Sequence, residues 1–272
     1  MSPFISRLLF PAGLLFASVC LNTAVSADHQ PPILSLVIDD LGYSLENGTA
    51  VIELPGDHTY AILPDASYST RLAQHAQRLN KEVILHLPMQ SIGSASAREP
   101  HALDESMDED QLTSKVHSLL SEIPFIRGVN NHMGSHLTEF DFFMRPVMDS
   151  IRSYNPELYF LDSKTTPRSV AHMEALDAGL NAATRDIFLD DAVNLESIRL
   201  QYQLWLEKAR EQGSAIAIGH PYKETIQVLQ ENLADTSKAF RFMRVSRLIA
   251  ERQKKSPEAP RLQSLTTLDP SE

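Results

Sequence analysis

The stretch ILSLVIDD at residues 33–40 decides the fold. Its apolar part, Ile33–Ile38, has no helical period, which is typical of a β-strand that is buried on both faces. Strands of this kind belong to parallel sheets whose faces are covered by helices. The run ends in two acids, Asp39 and Asp40. The carboxyl ends of parallel strands are where α/β proteins bind their ligands, so these acids are the first candidate site residues.

Six further segments repeat this apolar, β-rich pattern. They are residues 59–63 (TYAIL), 82–87 (EVILHL), 126–130 (IRGVN), 158–161 (LYFL), 183–189 and 215–218 (AIAI), and a short edge strand is expected at 243–246. Helical patterns lie between them, at residues 68–79, 108–122, 139–154, 169–178, 195–212 and 222–233. This alternation predicts an α/β fold with parallel strands and helical crossovers. About seven such units favour a closed or nearly closed (β/α) barrel over an open sheet.

The composition excludes some classes of partner and site. The 272 residues include 24 Lys and Arg against 35 Asp and Glu, a formal net charge of −11. An acidic surface repels a phosphate backbone, and the sequence shows no basic patch, so we expect no nucleic-acid partner. The single cysteine, Cys20, excludes an intrachain disulfide framework and a cysteine-based metal site.

Residues 1–27 predict a signal peptide. Arg7 precedes an apolar run at residues 8–21, and the small residues Val25 and Ala27 stand at the −3 and −1 positions of a cleavage site. The run is shorter than the roughly 20 residues of a membrane span, which favours cleavage over an uncleaved anchor. A lipoprotein anchored through Cys20 is the less favoured alternative.

We therefore expect a secreted protein, periplasmic in a cell with two membranes, with no stable membrane anchor after cleavage. Residues 28–251 are predicted to form the barrel domain. Residues 252–272 are polar, contain three prolines and lack periodicity, which predicts a disordered C-terminal tail.

Polar residues collect directly after the predicted strands. In chain order they are Asp39 and Asp40, His86, Asn130, Asn131, His132 and His136, Asp162 and Ser163, Asp190 and Asp191, and His220. The carboxyl ends of parallel strands share one rim, so these side chains are expected to converge there. Each also has a structural interpretation, because such acids cap helices and such histidines bond to carbonyl groups. The other histidines, including His58, are expected to be solvated.

Carboxylate and imidazole ligands without cysteine suit Zn²⁺ or a related divalent ion. One Asp and two His leave coordination positions for water and for a substrate oxygen, and such an ion acidifies water and polarises a carbonyl. A second carboxylate can then take a proton, and an imidazole can protonate a leaving group. Asn130, Asn131 and Ser163 are candidates for hydrogen bonds to the substrate, and the two asparagines equally for orienting the ligands.

Six co-linear segments resemble the divergent polysaccharide deacetylase family, also called YibQ-like, of the NodB-homology carbohydrate esterases. They are SLVIDDLGYS (35–44), EVILHLPMQ (82–90), GVNNHMGSHLT (128–138), LYFLDSKTT (158–166), IFLDD (187–191) and AIAIGHP (215–221). The resemblance spans about residues 33–235. It implies a distorted (β/α) barrel, a divalent metal site and deacetylation of N-acetylated glycans as the parent activity.

The resemblance also implies roles for individual residues. Asp39 resembles the general base, Asp40 the metal carboxylate and His220 the catalytic acid, and Asp162 resembles the acid that orients His220. The chain departs from the superfamily in two places. Gln90 stands where the second histidine of a metal-binding pair is expected, and the arginine-containing loop motif is absent.

Because Gln90 replaces the expected histidine, two sets of metal ligands are considered. The preferred set is Asp40, His86 and His132, which come from three separate strand ends. The alternative is Asp40, His132 and His136, because the four-residue spacing of the two histidines reproduces the superfamily pair.

The function expected from the resemblance is a secreted, metal-dependent hydrolase that removes acetyl groups from an N-acetylated cell-wall or exported polysaccharide, with Zn²⁺ the expected metal. The alternative is a catalytically inactive envelope module on the same scaffold, which binds a glycan or a protein partner.

Overall fold

The computed structural model describes residues 30–93 and 101–255, and the described residues from Pro31 onward form one compact unit. The predicted signal peptide at residues 1–27 lies outside the described residues. The prediction of a disordered tail at 252–272 is wrong at its start, because residues 252–255 belong to the last helix of the described residues. Arg252 holds that turn by donating a hydrogen bond to the Ser214 hydroxyl over 3.0 Å. Residues 256–272 lie outside the described part.

Nine strands alternate with eight helices in this part of the chain. The strands are β1 (Ile33–Leu41), β2 (Thr59–Ile62), β3 (Glu82–Met89), β4 (Ile126–Met133), β5 (Tyr159–Asp162), β6 (Asn181–Thr184), β7 (Ile187–Phe188), β8 (Ser214–Gly219) and β9 (Arg241–Phe242). The helices are α1 (Leu45–Ile52), α2 (Ser69–Arg78), α3 (Glu109–Glu122), α4 (Asp141–Tyr154), α5 (Ala171–Asp177), α6 (Leu195–Gln212), α7 (Lys223–Thr236) and α8 (Val245–Lys255). A 3-10 turn at Leu137–Glu139 precedes α4.

All the strand pairs are parallel, in the order β6-β5-β4-β3-β2-β1-β8-β7, and β9 adds to β1. The predicted α/β fold, a distorted barrel of parallel strands, is confirmed. The expected edge strand at 243–246 is instead β9 at Arg241–Phe242, and α8 begins at Val245.

The chain joins the two edges of the curled sheet at residues 181–188. The sequence predicts one strand there, and the structure contains two short ones that lie at opposite ends of the strand order. Arg185 N still bonds to Asp162 O of β5, whereas Asp186 N bonds to Ile216 O of β8. The extended segment therefore changes its partner between two adjacent residues, and this change brings the two edges of the sheet together.

Alternate residues of each strand face two different cores. On β1, Leu34, Leu36 and Ile38 pack toward the helices, whereas Ile33 and Val37 belong to a second cluster inside the barrel. Val245, Leu248 and Ile249 of α8 join that interior cluster. Because β-strands alternate faces, Asp39 follows Val37 to the inside of the barrel, at the end away from α8.

A buried carboxylate fixes α8 to the barrel. Glu82 Oε1 accepts hydrogen bonds from the Thr59 hydroxyl and the Tyr159 hydroxyl, each over 2.9 Å, and from Ser246 N over 3.2 Å. The Ser246 hydroxyl donates to the other oxygen, Oε2. A charge buried with this many donors is stable in place, so Glu82 holds the first turn of α8.

The sequence pattern did not predict α1, which follows β1 directly. Its sequence, LENGTAVI, contains Asn47 and Gly48, residues that favour turns over helices. A Cβ at Gly48 would lie 2.6 Å from a methyl carbon of Leu72 in α2, so a larger residue there would require the Leu72 side chain to shift. The Ser44 side chain caps the helix by accepting from Asn47 N. Among the described helices, none has the length and apolar character needed to cross a membrane.

His58 is wrongly predicted to be solvated, since it is fully buried beside β2. Its Nε2 lies 2.8 Å from Pro55 O, and its ring packs edge-on against Phe242. Gly56 makes room for the ring, because a Cβ there would lie 2.6 Å from it. Burial, and then the positive charge of Lys81, lower the pKa of His58 to about 4.

We therefore expect His58 to make stability depend on pH. The unfolded chain binds a proton with a pKa near 6.5, and the folded chain does so near 4. The neutral ring thus contributes stability above about pH 6.5, and this is lost as the pH falls toward 4, by up to about 3 kcal/mol. The free energy of unfolding, measured with urea at pH 7 and at pH 4.5, should fall less in His58→Gln than in the native protein, because glutamine does not titrate. Equal losses in both proteins would contradict this account.

Candidate metal centre and acid–base pair

Two successive acids reach the same rim because the end of β1 is irregular. In a regular strand Asp39 and Asp40 would face opposite sides of the sheet. Asp40 has φ +57, in the left-handed region, and the β1–β2 register shifts between Ile38 and Leu41. This bulge turns Asp40 back toward the barrel mouth. Asp39 is buried, and the Asp40 side chain is 28% exposed.

Asp40, His86 and His132 form a group that can hold a metal ion, with one donor atom from each residue lying within 4.8 Å of the others. Asp40 Oδ1 lies 3.0 Å from His86 Nε2 and 2.9 Å from His132 Nδ1, and the two nitrogens are 3.1 Å apart. Within the described residues no well-aligned hydrogen bond reaches this buried oxygen. Carboxylate and imidazole atoms that converge on one point fit a divalent cation.

The neighbours of Asp40 also keep it ionised. Burial raises the pKa of this carboxyl, but the contacts with His132 and His86 outweigh burial and hold its pKa below the usual range. An ionised carboxylate is the form that binds a cation.

Asn130 links the metal group to Asp39. Its amide oxygen lies 2.8 Å from His86 Nδ1, and its amide nitrogen donates to Asp39 Oδ1 over 2.9 Å and to the Ser163 hydroxyl over 3.2 Å. An amide oxygen only accepts, so His86 Nδ1 carries a hydrogen and Nε2 is the nitrogen that faces the site. Asn130 therefore orients one candidate ligand and the predicted base together.

Asp39 lies deepest in the site. Its Oδ2 is 3.7 Å from His86 Nε2. Burial raises the pKa of this carboxyl above its ordinary value, against the opposing effects of His86, His220 and the Asn130 hydrogen bond. A carboxylate with a raised pKa is a better proton acceptor, as a general base requires.

His220 faces Asp40 across the mouth, with its Nε2 3.8 Å from Asp40 Oδ2. Asp190 orients it from behind. His220 Nδ1 lies 2.9 Å from Asp190 Oδ1, and His220 N donates to Asp190 Oδ2 over 2.7 Å, as does the Thr225 hydroxyl. Burial alone would lower the pKa of His220, but the hydrogen bond and charge of Asp190 outweigh it and raise this pKa to about 9. His220 is therefore protonated at neutral pH.

The assignment of Asp162 as the acid that orients His220 is wrong. The Asp162 carboxylate accepts hydrogen bonds from Lys164 N over 2.7 Å and from the Ser169 hydroxyl over 2.8 Å. The strand order gives the reason, because β7 pairs with β8, whereas β5 lies on the far side of the seam. Asp190 follows β7 and so lies beside His220. The sequence motif IFLDD contained this signal, but it did not distinguish Asp190 from Asp162.

Asn131, Ser163 and His136 lie near the rim but have protein partners. Asn131 donates to Met133 O over 2.8 Å and accepts from Ser163 N over 2.9 Å, so it joins the ends of β4 and β5. His136 Nε2 lies 2.9 Å from Glu105, outside the three-residue metal group, and Gln90 hydrogen-bonds to the same Glu105. The geometry thus favours the set with His86 over the set with His136. Substrate contacts by Asn130, Asn131 and Ser163 stay predictions.

The fold and the site together define a parallel barrel that carries a candidate metal centre between a buried carboxylate and a protonated histidine. Comparison with protein families matches residues 36–249 to the family described as divergent polysaccharide deacetylase, and the chain belongs to this family.

Relatives support this membership. The chain is 35% identical over 261 residues to the uncharacterized protein YibQ of Escherichia coli strain K12, covering 96% of this chain and 78% of the relative. It is 36% identical over 200 residues to an uncharacterized protein of Haemophilus influenzae, covering 74% of this chain and 70% of the relative. Among solved structures, an uncharacterized protein from Agrobacterium tumefaciens C58 has a TM-score of 0.75 at 22% identity, covering 80% of this chain and 89% of that one, which shows the shared fold.

Replacing Asp190 should change the titration of His220. We expect Asp190→Asn to lower the pKa of His220 from about 9 toward its ordinary 6.5, because the raising charge is removed. In the native protein the charged ring contributes stability below about pH 6.5, and this is lost as the pH rises through about 9. Histidine NMR titration would measure the shift. Asp162→Asn is the matched control and should leave the pKa of His220 near 9, so a larger shift there than in Asp190→Asn would restore the original assignment.

Proposed function

We propose that this protein is an exported, metal-dependent hydrolase that removes acetyl groups from an N-acetylated polysaccharide. The observation that carries the proposal is the arrangement of Asp39 and His220 beside the group of Asp40, His86 and His132 at one mouth of the barrel. Membership of the divergent polysaccharide deacetylase family supports the reaction class and the glycan substrate. The predicted signal peptide supports export.

Asp40, His86 and His132 would hold the cation. A bound divalent ion such as Zn²⁺ supplies Lewis acidity, which makes water easier to deprotonate and an amide carbonyl easier to attack. The ligand set of one carboxylate and two imidazoles suits such an ion and leaves room for further ligands.

Asp39 and His220, which flank the metal group, carry out the proton transfers. Asp39 accepts a proton from the water whose oxygen attacks the acetamide carbon. His220 donates its proton to the sugar nitrogen as the carbon–nitrogen bond breaks, so the products are acetate and a free amino group. Asn130 keeps Asp39 in place through a hydrogen bond to its carboxylate, and Asp190 holds the His220 ring through Nδ1, so both groups are oriented for their roles.

Metal content tests the ligand set. We expect the purified protein, equilibrated with Zn²⁺ and then desalted, to retain close to one ion per chain. His86→Ala and His132→Ala should reduce this by at least about tenfold, because each removes a ligand. His136→Ala is the matched control and should keep the metal. Elemental analysis gives the stoichiometry. Retention in His86→Ala together with loss in His136→Ala would establish the alternative set.

Acetate release tests the reaction. We expect the Zn²⁺-loaded protein to release acetate from N-acetylated oligosaccharides, and Asp39→Asn to lower the rate by about 100-fold or more, the usual effect of losing a general base. Asp149→Asn, an exposed acid on α4, should leave the rate unchanged. An enzymatic acetate assay follows both.

A binding module without turnover is the second candidate. Gln90 in the slot of a metal-binding histidine, and the use of His136 to bind Glu105, favour it. No acetate release from any N-acetylated glycan, with glycan binding intact, would reject the hydrolase and support this module.

A further inference from the structure

A cleft of about 490 Å³ opens at the seam of the barrel, beside the candidate active site. Its lining includes Lys164, Arg185, Phe188, Asp191 and Gln201. Phe188 connects the cleft to the reaction centre, because its ring packs edge-on against His220 with centroids 5.4 Å apart. A group bound in the cleft would therefore be separated from the predicted acid by a single aromatic ring.

The protein fixes the Arg185 guanidinium in this cleft. Its Nε donates to Ser163 O over 2.7 Å and its Nη2 to Lys164 O over 3.0 Å, while its Cζ lies 4.8 Å from the centre of the Phe188 ring. A guanidinium has five N–H donors in a plane. Within the part of the chain that the structure describes, two of these donors have protein acceptors, and the others are available on the half-buried side chain.

Arg185 also has no direct ion pair among the described residues, although carboxylates surround it at longer range. These are Asp39, Asp162, Asp186 and Asp191. Asp162 accepts from Lys164 N and Ser169, and Asp186 accepts from Ile216 N and lies 3.5 Å from Arg252, so both are already engaged. Asp39 is tied to Asn130. Direct, planar hydrogen bonding to Arg185 is therefore left open for a ligand.

Lys164 adds a second cation at the cleft. Its backbone has φ +50, and the Asp162 carboxylate accepts from its N–H, which pins this turn. The side chain is exposed. Two acids also line the cleft: Asp186, which lies 3.5 Å from Arg252 and is offset by it, and the exposed Asp191. Lys164 and Arg185 therefore face one uncompensated lining carboxylate, a balance that suits a single negative charge better than a doubly charged phosphate.

We propose that this cleft is a subsite for a carboxylate carried by the glycan, held by Arg185 with Lys164 beside it. A guanidinium matches a carboxylate with two parallel hydrogen bonds, which gives specificity as well as affinity. The inference rests on the proposed function and narrows its substrate class to acetamido glycans that contain an acidic sugar. Asp162 then acts as a positioning residue for the turn that presents Lys164.

Binding in an Asp39→Asn background tests the subsite without turnover. The probes are an N-acetylated oligosaccharide that carries carboxylates and the same oligosaccharide after its carboxyl groups have been reduced to alcohols. Calorimetry should show about tenfold tighter binding of the acidic probe. Arg185→Gln should remove this preference, and Lys164→Gln should reduce it by about threefold. Arg210→Gln is the matched control. Arg210 lies on α6 away from the cleft, and its guanidinium also stacks on an aromatic ring, that of Phe240. This variant should keep the preference.

Turnover of the two probes separates the subsite from other roles of Arg185. In the active protein Arg185→Gln should raise KM for the acidic probe and leave kcat/KM for the reduced probe unchanged. Equal losses on both probes would mean that Arg185 supports Asp39 or the fold, and would overturn the proposal. Equal affinity of the native protein for both probes would also overturn it. Absence of turnover on both probes would reject the proposed hydrolase activity but not the subsite, because the calorimetric binding experiment tests the subsite without turnover.

Discussion

The site depends on the left-handed backbone at Asp40. Side chains of a strand alternate between two faces, so a regular β1 would place one acid in the mouth and the other among the helices. The bulge abolishes this alternation at one position and brings both acids to the same side. An L-residue other than glycine adopts this conformation at some cost, and Asp is among those that tolerate it best. Binding of a cation by Asp40, His86 and His132, as proposed, would offset that cost.

Asp39, His86 and His220 each have a neutral or acidic hydrogen-bond partner that is itself buried. Asn130 serves His86 and Asp39 together, and Asp190 serves His220. Asn130 on β4 lies beside His86 on the paired strand β3, and it also reaches Asp39 on β1, which is not a neighbour of β4 in the strand order. Asp190 and His220 follow the paired strands β7 and β8. Strand pairing and the Asn130–Asp39 hydrogen bond across the barrel together hold a site assembled from five strand ends.

Periodicity and strand-end chemistry were enough to predict the parallel barrel and a shared rim of polar side chains. The choice of Asp40, His86 and His132 as a metal set also needed the family resemblance, which marked Asp40 as the metal carboxylate. Prediction from the sequence failed where neighbours in space decide the structure. The choice between Asp162 and Asp190 needs the strand order, which the sequence does not display. Helix α1 contains Asn47 and Gly48, which local propensity disfavours in a helix, and the close approach of Leu72 in α2 to Gly48 is a tertiary contact that the sequence pattern does not display. The single apolar segment at 183–189 divides because its two halves pair with different strands. His58 is buried by the loop that contains Gly56, and its sequence neighbourhood is that of an exposed turn.

The carboxylate of Glu82 joins parts of the chain that are far apart in sequence. Its donors come from β2, β5 and the start of α8, so its hydrogen bonds join segments separated by up to 164 positions. Val245, Leu248 and Ile249 of α8 supply the apolar cover of the interior cluster at the end of the barrel away from the candidate site. Without α8 that end of the cluster would face water, so the hydrogen bonds of Glu82 protect the barrel interior as well as fixing the helix.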